Sequence, residues 1–203
     1  NDILDLSKIE AGRMELYLES FDLKELIESV VATVKPLVSQ NNNVLTLNYD
    51  SGLSLIYSDS TKVRQILLNL LSNAAKFTQQ GQIILTITRE KINTSVDSLT
   101  SQNSTSNSLQ SYQINFCIQD TGIGIPEEQQ KYVFEAFIQG DNATARRYGG
   151  TGLGLAISRH FCKMMGGDLQ LLKSQVGQGS TFNASLQSSL TLDLDSLPEI
   201  SFD

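Results

Sequence analysis

Asn69 and Asn73 stand four residues apart, with Gln65 before them and Lys76 after, so a helix would carry all four on one face. Such a stripe is ordinarily a solvated surface. Two amides and an ammonium in register also suit a magnesium–polyphosphate site, where a neutral amide oxygen completes the Mg²⁺ shell and the phosphates supply the charge. A second cluster is DTGIGIP, Asp120–Pro126, directly after an apolar run. Its plain reading is a Gly-Pro turn. A carboxylate at a strand end would also accept a hydrogen bond from adenine's exocyclic amine and repel the carbonyl that guanine presents there. Gly122 and Gly124 would let the backbone come close to base and ribose. The aromatic spacing of FEAF, Phe134–Phe137, predicts core residues that anchor the loop after them. In GGTGLGLAI, Gly149–Ile157, glycines 150, 152 and 154 lead into an apolar helix, where free backbone N–H groups can take a polyphosphate. No Gly-Lys-Ser/Thr follows as in a Walker loop, and Leu155 stands where the dinucleotide fingerprint has its third glycine. Arg146 and Arg147, just upstream, sit in a loop from which they could reach a phosphate.

These clusters need elements to hold them. Residues 1–14 read as the end of a helix, with Ile3, Leu6 and Ile9 needing a partner helix and Gly12 as a stop. Glu15–Glu19 is a short strand candidate. Asp22 and Glu25 form an acidic capping box, with Phe21 and Leu26 as its staple, before a helix with one broad apolar face. Pro36 predicts a kink or early fraying of that helix. Val44–Tyr49, Ile83–Glu90 and Tyr112–Gln119 alternate as strands, and Asp59–Phe77 repeats as a helix. A short helix near Glu127–Val133, a longer one from Gly152 to Met165, and two strands over Asp168–Leu186 complete the pattern. Strands and helices mix without βαβ alternation, which predicts an α+β fold: a two-layer sandwich with one mixed sheet and helices on a single face.

Residues 93–110 hold 14 Ser, Thr, Asn or Gln among 18 and read as a flexible insertion in a hairpin. The acidic Ser/Leu-rich stretch 187–203 reads as linker. The net charge of −7 argues against nucleic acid as a partner, and with His160 as the single histidine, Ser-His-Asp and multi-histidine metal chemistry are nearly excluded. Cys117 and Cys162 suggest neither a disulfide framework nor a zinc site. Asn1 at the start, without an initiator Met or a signal-peptide pattern, predicts a piece of a longer protein.

In this order the clusters closely resemble the catalytic and ATP-binding domain of sensor histidine kinases, within the gyrase, Hsp90, histidine kinase and MutL superfamily. LNLLSNAAKFT is similar to the family's asparagine box, DTGIGIP to its first glycine box, FEAF to its phenylalanine box and GGTGLGLAI to its second glycine box. NDILDLSKIEAGRMEL resembles the end of the second helix of the dimerisation and phosphotransfer hairpin, a junction common in hybrid kinases. The resemblance covers roughly residues 1–186. It implies a hairpin end at 1–14, a catalytic domain over 15–186 and a tail over 187–203. ATP and Mg²⁺ are the implied cofactors, with Asn73 as metal ligand and Lys76, Arg146 and Arg147 contacting phosphate. Phe77 would flank the adenine, Asp120 would read its amine, and Gly150, Thr151, Gly152, Leu153 and Gly154 would form the phosphate loop. Residues 139–149 would be the ATP lid.

The implied activity is transfer of the γ-phosphoryl to a hairpin histidine upstream of Asn1, so His160 reads as an ordinary surface or interhelix residue. The implied partners are that hairpin and the receiver domain of a response regulator. The fragment is expected to be cytoplasmic and monomeric or weakly dimeric. ATP hydrolases of the superfamily carry a Glu where Asn69 stands, and an amide is not a base, so transfer is favoured over hydrolysis. A nucleotide-binding regulatory module without catalysis is the other alternative.

Overall fold

The computed structural model describes residues 2–49, 55–92, 111–137 and 151–188. The expected insertion at 93–110, the expected lid at 139–149 with Arg146 and Arg147, Gly150 of the second glycine box, and the tail beyond Ser188 lie outside the described residues.

A short helix α1 (Asp2–Glu10) leads through an extended stretch to strand β1 (Glu19–Asp22). The expected strand at 15–19 is therefore displaced. β1 pairs antiparallel with β3 (Leu55–Ser58), a four-residue strand that tertiary pairing creates and periodicity does not reveal. The displaced stretch is instead tied down at Tyr17, whose N–H donates to Asp59 Oδ2 at 2.9 Å.

Helix α2 (Leu23–Gln40) starts at the expected cap, the Asp22 side chain accepting from the Glu25 N–H at 3.1 Å. It does not fray at Pro36 but runs through it to Gln40. Pro36 lies on the exposed face, where water can satisfy the carbonyl it strands, while Val34 and Val38 bury the opposite face and hold the last turn. Strand β2 (Val44–Tyr49) follows. Helix α3 (Ser60–Phe77) is capped by Asp59, whose Oδ1 accepts from the Lys62 N–H at 2.9 Å. Then come β4 (Gln82–Lys91), β5 (Tyr112–Asp120), α4 (Glu127–Gln130), α5 (Gly154–Met164), β6 (Leu169–Gln175) and β7 (Gly179–Ser188). α4 is one turn long, shorter than the expected helix. β7 passes the expected boundary at 186, and its last residue, Ser188, accepts from the Tyr57 N–H on β3 at 3.1 Å.

Five strands form one mixed sheet in the order β2-β4-β5-β7-β6, with β2 and β4 parallel and the other pairs antiparallel. Alternate residues Ile83, Leu85 and Ile87 of β4, Ile114, Phe116 and Ile118 of β5, and Ala184 and Leu186 of β7 are fully or nearly fully buried. They share one core with the apolar faces of α2, α3 and α5, which include Val30, Leu67, Leu71 and Phe161. The result is the two-layer α+β sandwich expected. α1 packs Leu6 and Ile9 against that core, with α5 as its neighbour, while its Ile3 and Leu4 stay exposed. Among the described residues no helix is long and apolar enough to cross a membrane.

Candidate nucleotide site

The site lies where three chain segments meet: the second half of α3, the turn after β5 and the first turn of α5. On α3 the polar stripe is half-buried rather than solvated. Asn69 Nδ2 donates to Ser158 Oγ of α5 at 2.9 Å, and Asn69 Oδ1 accepts from Asn73 Nδ2 at 3.3 Å. Gly154 makes this possible, because a Cβ there would collide with the Asn69 side chain. The amide of Asn69 is thus a bridge between two helices. The Oδ1 of Asn73 has no partner among the described residues and is available as a neutral oxygen ligand. Gln65, at the other end of the stripe, donates to Asp5 Oδ2 of α1 at 3.1 Å.

At the end of α3, Lys76 and Phe77 are half-buried, with the Lys76 ammonium 5.0 Å from the centre of the Phe77 ring. Burial lowers the Lys76 pKa from its ordinary value. The helix end is fixed from β2's side. Asn43, buried, donates from Nδ2 to the Ala75 and Thr78 carbonyls at 3.1 and 2.8 Å and accepts from the Gly81 N–H at 3.0 Å.

Asp120 ends β5 and is 8% exposed. Its Oδ1 accepts from the Gly122 N–H at 2.8 Å and the Ser180 N–H at 3.3 Å. Burial pushes its pKa up, and the two N–H donors only partly offset that. Both donors fall on Oδ1, which leaves Oδ2 without a partner among the described residues. The turn behind it is held by the Ser174 Oγ, which accepts from the Ile125 N–H at 2.8 Å, and by the Gln130 Nε2, which donates to the Ile125 carbonyl at 2.9 Å. The glycines of the turn meet protein: a Cβ on Gly122 would strike the Phe77 carbonyl, and one on Gly124 (φ +69°) the Gln175 carbonyl. What the structure shows for these glycines is a packing role, which the expectation of admitting base and ribose did not include.

At α5 the N-cap is Leu153, which has no side-chain cap bond, so the first-turn N–H groups are left for another acceptor. Leu153 itself is fully buried, so only its backbone can face a ligand. Its N–H donates to Thr151 Oγ1 at 3.3 Å, and that hydroxyl donates to Asp2 Oδ2 of α1 at 3.0 Å. Gly152 (φ +68°) accepts at its carbonyl from the Phe137 N–H at 3.2 Å, which ties the chain before residue 138 to the chain after residue 150. The aromatic pair of FEAF divides. Phe134 packs edge-on against Phe182, ring centres 6.3 Å apart, and anchors the loop as expected, whereas Phe137 is 67% exposed and is not core.

Asn69, Asn73, Lys76, Phe77, Asp120, Gly122, Thr151, Gly152, Leu153 and Gly154 are therefore held by three segments bonded to one another. Residues 58–190 match the family of histidine kinase-, DNA gyrase B- and HSP90-like ATPases. The chain belongs to this family.

Within it the chain carries the ATP-binding catalytic domain of the histidine kinase type. It is 41% identical over 92% of its length to hybrid signal transduction histidine kinase B of Dictyostelium discoideum, of which it spans 9%. It is 40% identical over 90% of its length to the circadian input-output histidine kinase CikA of Synechococcus elongatus, spanning 22% of it. It is equally similar to the signal transduction histidine-protein kinase BarA of Escherichia coli, spanning 18%. The chain thus corresponds to less than a quarter of each of these relatives. Among solved structures, full-length ShkA in complex with AMPPNP matches with a TM-score of 0.73 and 29% identity, over 96% of this chain and 36% of that one. The catalytic domain of histidine kinase ThkA shares the fold, with a TM-score of 0.58 over 85% of this chain and 95% of its own.

Three residues of this catalytic domain escaped the sequence reading: Ser158, Ser180 and Asn43. Ser158 had one usable signal, a polar residue four positions after Gly154 and so on the same face of the helix, next to the apolar Ile157. The other two had none, since their partners are set by strand pairing.

Proposed function

We propose that this chain binds Mg-ATP between α3, the Asp120 turn and the start of α5, and passes the γ-phosphoryl to a histidine on a phosphotransfer hairpin. Residues 1–14 would be the end of that hairpin, and the phosphoryl would go on to a receiver domain of a response regulator, in a cytoplasmic setting where ATP is available. The observation that carries the reading is Asp120. It is a buried carboxylate with one oxygen fixed by two N–H groups and the other left for an exocyclic amine, in a fold that also offers an uncapped start of α5 and an amide oxygen on α3. The family match and the AMPPNP complex of ShkA support it.

The residues suit Mg²⁺ that arrives with its nucleotide. No cluster of His, Cys, Asp or Glu that could hold a metal ion occurs among the described residues, so phosphates must supply the charge, and the open Oδ1 of Asn73 would supply an oxygen. Mg²⁺, when bound, neutralises the charge spreading over the β- and γ-phosphates. The chain's own work is positioning. Asp120 orients the base, with Phe77 alongside. Lys76, Arg146, Arg147 and the N–H groups from Gly150 to Gly154 hold the phosphates. A neutral imidazole is already a nucleophile near pH 7, so no base is required of the protein. Hydrolysis is disfavoured because the Asn69 amide is engaged on both sides and cannot activate water.

Titration calorimetry tests this. ATP should bind in the presence of Mg²⁺, more weakly with the metal chelated, and GTP should bind far more weakly than ATP. Equal affinity for ATP and GTP would overturn the assignment of Asp120. Nucleotide binding without phosphate transfer to a supplied hairpin would favour the regulatory-module alternative.

A further inference from the structure

The first helical bond of α5 runs from the Ile157 N–H to the Leu153 carbonyl at 2.9 Å, and the N–H groups of Gly154, Leu155 and Ala156 before it have no acceptor among the described residues. The Leu153 N–H differs from these three. It already donates to Thr151 Oγ1 at 3.3 Å, and that hydroxyl gives its own hydrogen to Asp2 Oδ2 at 3.0 Å. A carboxylate of α1 is thus connected through one hydroxyl to the positive end of α5, the end that draws a polyphosphate. Asp2 does not depend on that bond for its place. One turn along α1, Asp5 accepts from Gln65 of α3 at 3.1 Å, and beyond it Leu6 and Ile9 pack on the core. Contacts elsewhere on α1 therefore hold a negative charge at the start of α5.

We propose that Asp2 is a charge-selecting residue of the nucleotide site, competing with the nucleotide's phosphates for the start of α5 by way of Thr151. The proposal rests on the reading that the phosphates lie at that helix start. Two effects add. The Leu153 N–H is one of the groups that reading gives to the phosphates, and in the nucleotide-free chain it is engaged by the hydroxyl that Asp2 orients. The carboxylate also repels a second anion at the same helix end. Both effects weigh on the phosphates and neither on the base, so the opposition grows with the charge of the tail, from adenosine through ADP to ATP. Linkage makes it mutual: bound nucleotide loosens the seat of α1 by the factor by which α1 weakens the nucleotide. One hydroxyl thereby reports an occupied site to the helix that precedes the catalytic body.

The test compares wild type, Asp2→Asn and Glu10→Gln by calorimetry with adenosine, Mg-ADP and a non-hydrolysable Mg-ATP analogue, at low and high ionic strength. Asparagine keeps an oxygen for the Thr151 hydroxyl and removes only the charge. Asp2→Asn should bind the ATP analogue about threefold more tightly than wild type at low ionic strength, gain less for ADP and nothing for adenosine. High salt should erase the difference. Glu10→Gln removes the same charge from the far end of α1 and should gain nothing. In wild type, the analogue should speed hydrogen exchange of the α1 amides, and in Asp2→Asn it should not. Unchanged or weaker binding of the analogue in Asp2→Asn would overturn the proposal, as would an equal gain for adenosine or an equal gain in Glu10→Gln. Exchange of α1 that ignores the analogue in wild type would overturn it too, because the coupling is mutual. If wild type binds no nucleotide, the assignment of the site fails and this inference with it. If wild type binds and Asp2→Asn binds equally, only the inference fails.

Discussion

On the proposed reading, Asp120 and Asn73 would address the two halves of a nucleotide separately, at the level of single atoms. Asn73→Ala removes a candidate metal ligand and touches no base contact, so Mg-ATP should weaken far more than adenosine. Equal losses for the two ligands in calorimetry would refute the metal assignment. Asp120→Asn should weaken both ligands, because an amide can turn its NH₂ toward the amine. Protonation offers an independent check on the same carboxylate. Burial raises its pKa above the ordinary carboxylate range, so the ionised form is the one that folding penalises and the one the amine needs. As pH falls through that raised value, the carboxyl takes up a proton, the folding penalty is relieved and the acceptor is lost. Adenosine affinity should therefore begin to fall at a pH above that of an unperturbed aspartate, while the stability of the free protein does not fall through this group. Asp120→Asn should show neither dependence.

Elements, rather than single residues, decide where these atoms sit, and the clearest joint is on α5. Arg159 pairs with Asp168 at the head of β6, Nε to Oδ1 at 3.0 Å and Nη2 to Oδ2 at 3.3 Å, and its guanidinium lies 4.8 Å from the centre of the Phe134 ring. The pair holds the Asp168 pKa down. A depressed carboxylate contributes stability above its unfolded pKa, and that stability is lost as pH falls through the folded value. Asp168→Asn should therefore destabilise the protein at neutral pH and flatten the acid limb below about pH 4. With both side chains about a third exposed, solvent screening keeps the effect to about 0.5–1 kcal/mol, measurable by urea titration at several pH values. Wild-type acid sensitivity in the variant would remove the pair from the account. This joint also marks what the sequence could not disclose. α2, α3, β4 and β5 were legible because each has its own cap or alternation, as at Asp22, Asp59 and Ile83–Ile87. β1 and β3 were not, because four-residue strands become strands only by pairing with each other. Pro36 misled because its cost depends on which face it occupies. The glycines of GGTGLGLAI were visible as a motif, but the collision of a Cβ at Gly154 with Asn69 depends on how closely α5 approaches α3, which no local pattern encodes.

At the scale of the molecule, α1 is seated on the catalytic body beside the site. Asp5 accepts from Gln65 of α3, Asp2 from Thr151 at the start of α5, and Leu6 and Ile9 pack on the core. A hairpin continuing from α1 would be tethered close to the phosphates, and that tether, not the chemistry of the acceptor, should decide which histidine is phosphorylated. His160 makes the contrast sharp. Burial and Lys163 lower its pKa, so it is more often neutral, and nucleophilic, than an ordinary histidine at pH 7. Its position excludes it nonetheless. Transfer needs the nitrogen about 3–3.5 Å from the γ-phosphorus and in line with the leaving oxygen. His160 lies six residues beyond Gly154 on α5, so at 1.5 Å of rise per residue it stands ~9 Å along the axis from the first turn. It is also the only histidine of the 203 residues. The chain alone should therefore bind ATP and fail to label itself on histidine. A separately expressed hairpin carrying a phosphoacceptor histidine should become labelled in trans, weakly, because the effective concentration that the covalent link supplies is missing. The measurement is incubation with γ-labelled ATP, with and without the hairpin, scored as acid-labile, base-stable phosphate. Strong labelling of the chain without the hairpin, abolished in His160→Gln, would make His160 an acceptor and refute the geometry. Labelling of the hairpin that is lost in Asn73→Ala would tie the transfer to the site on α3.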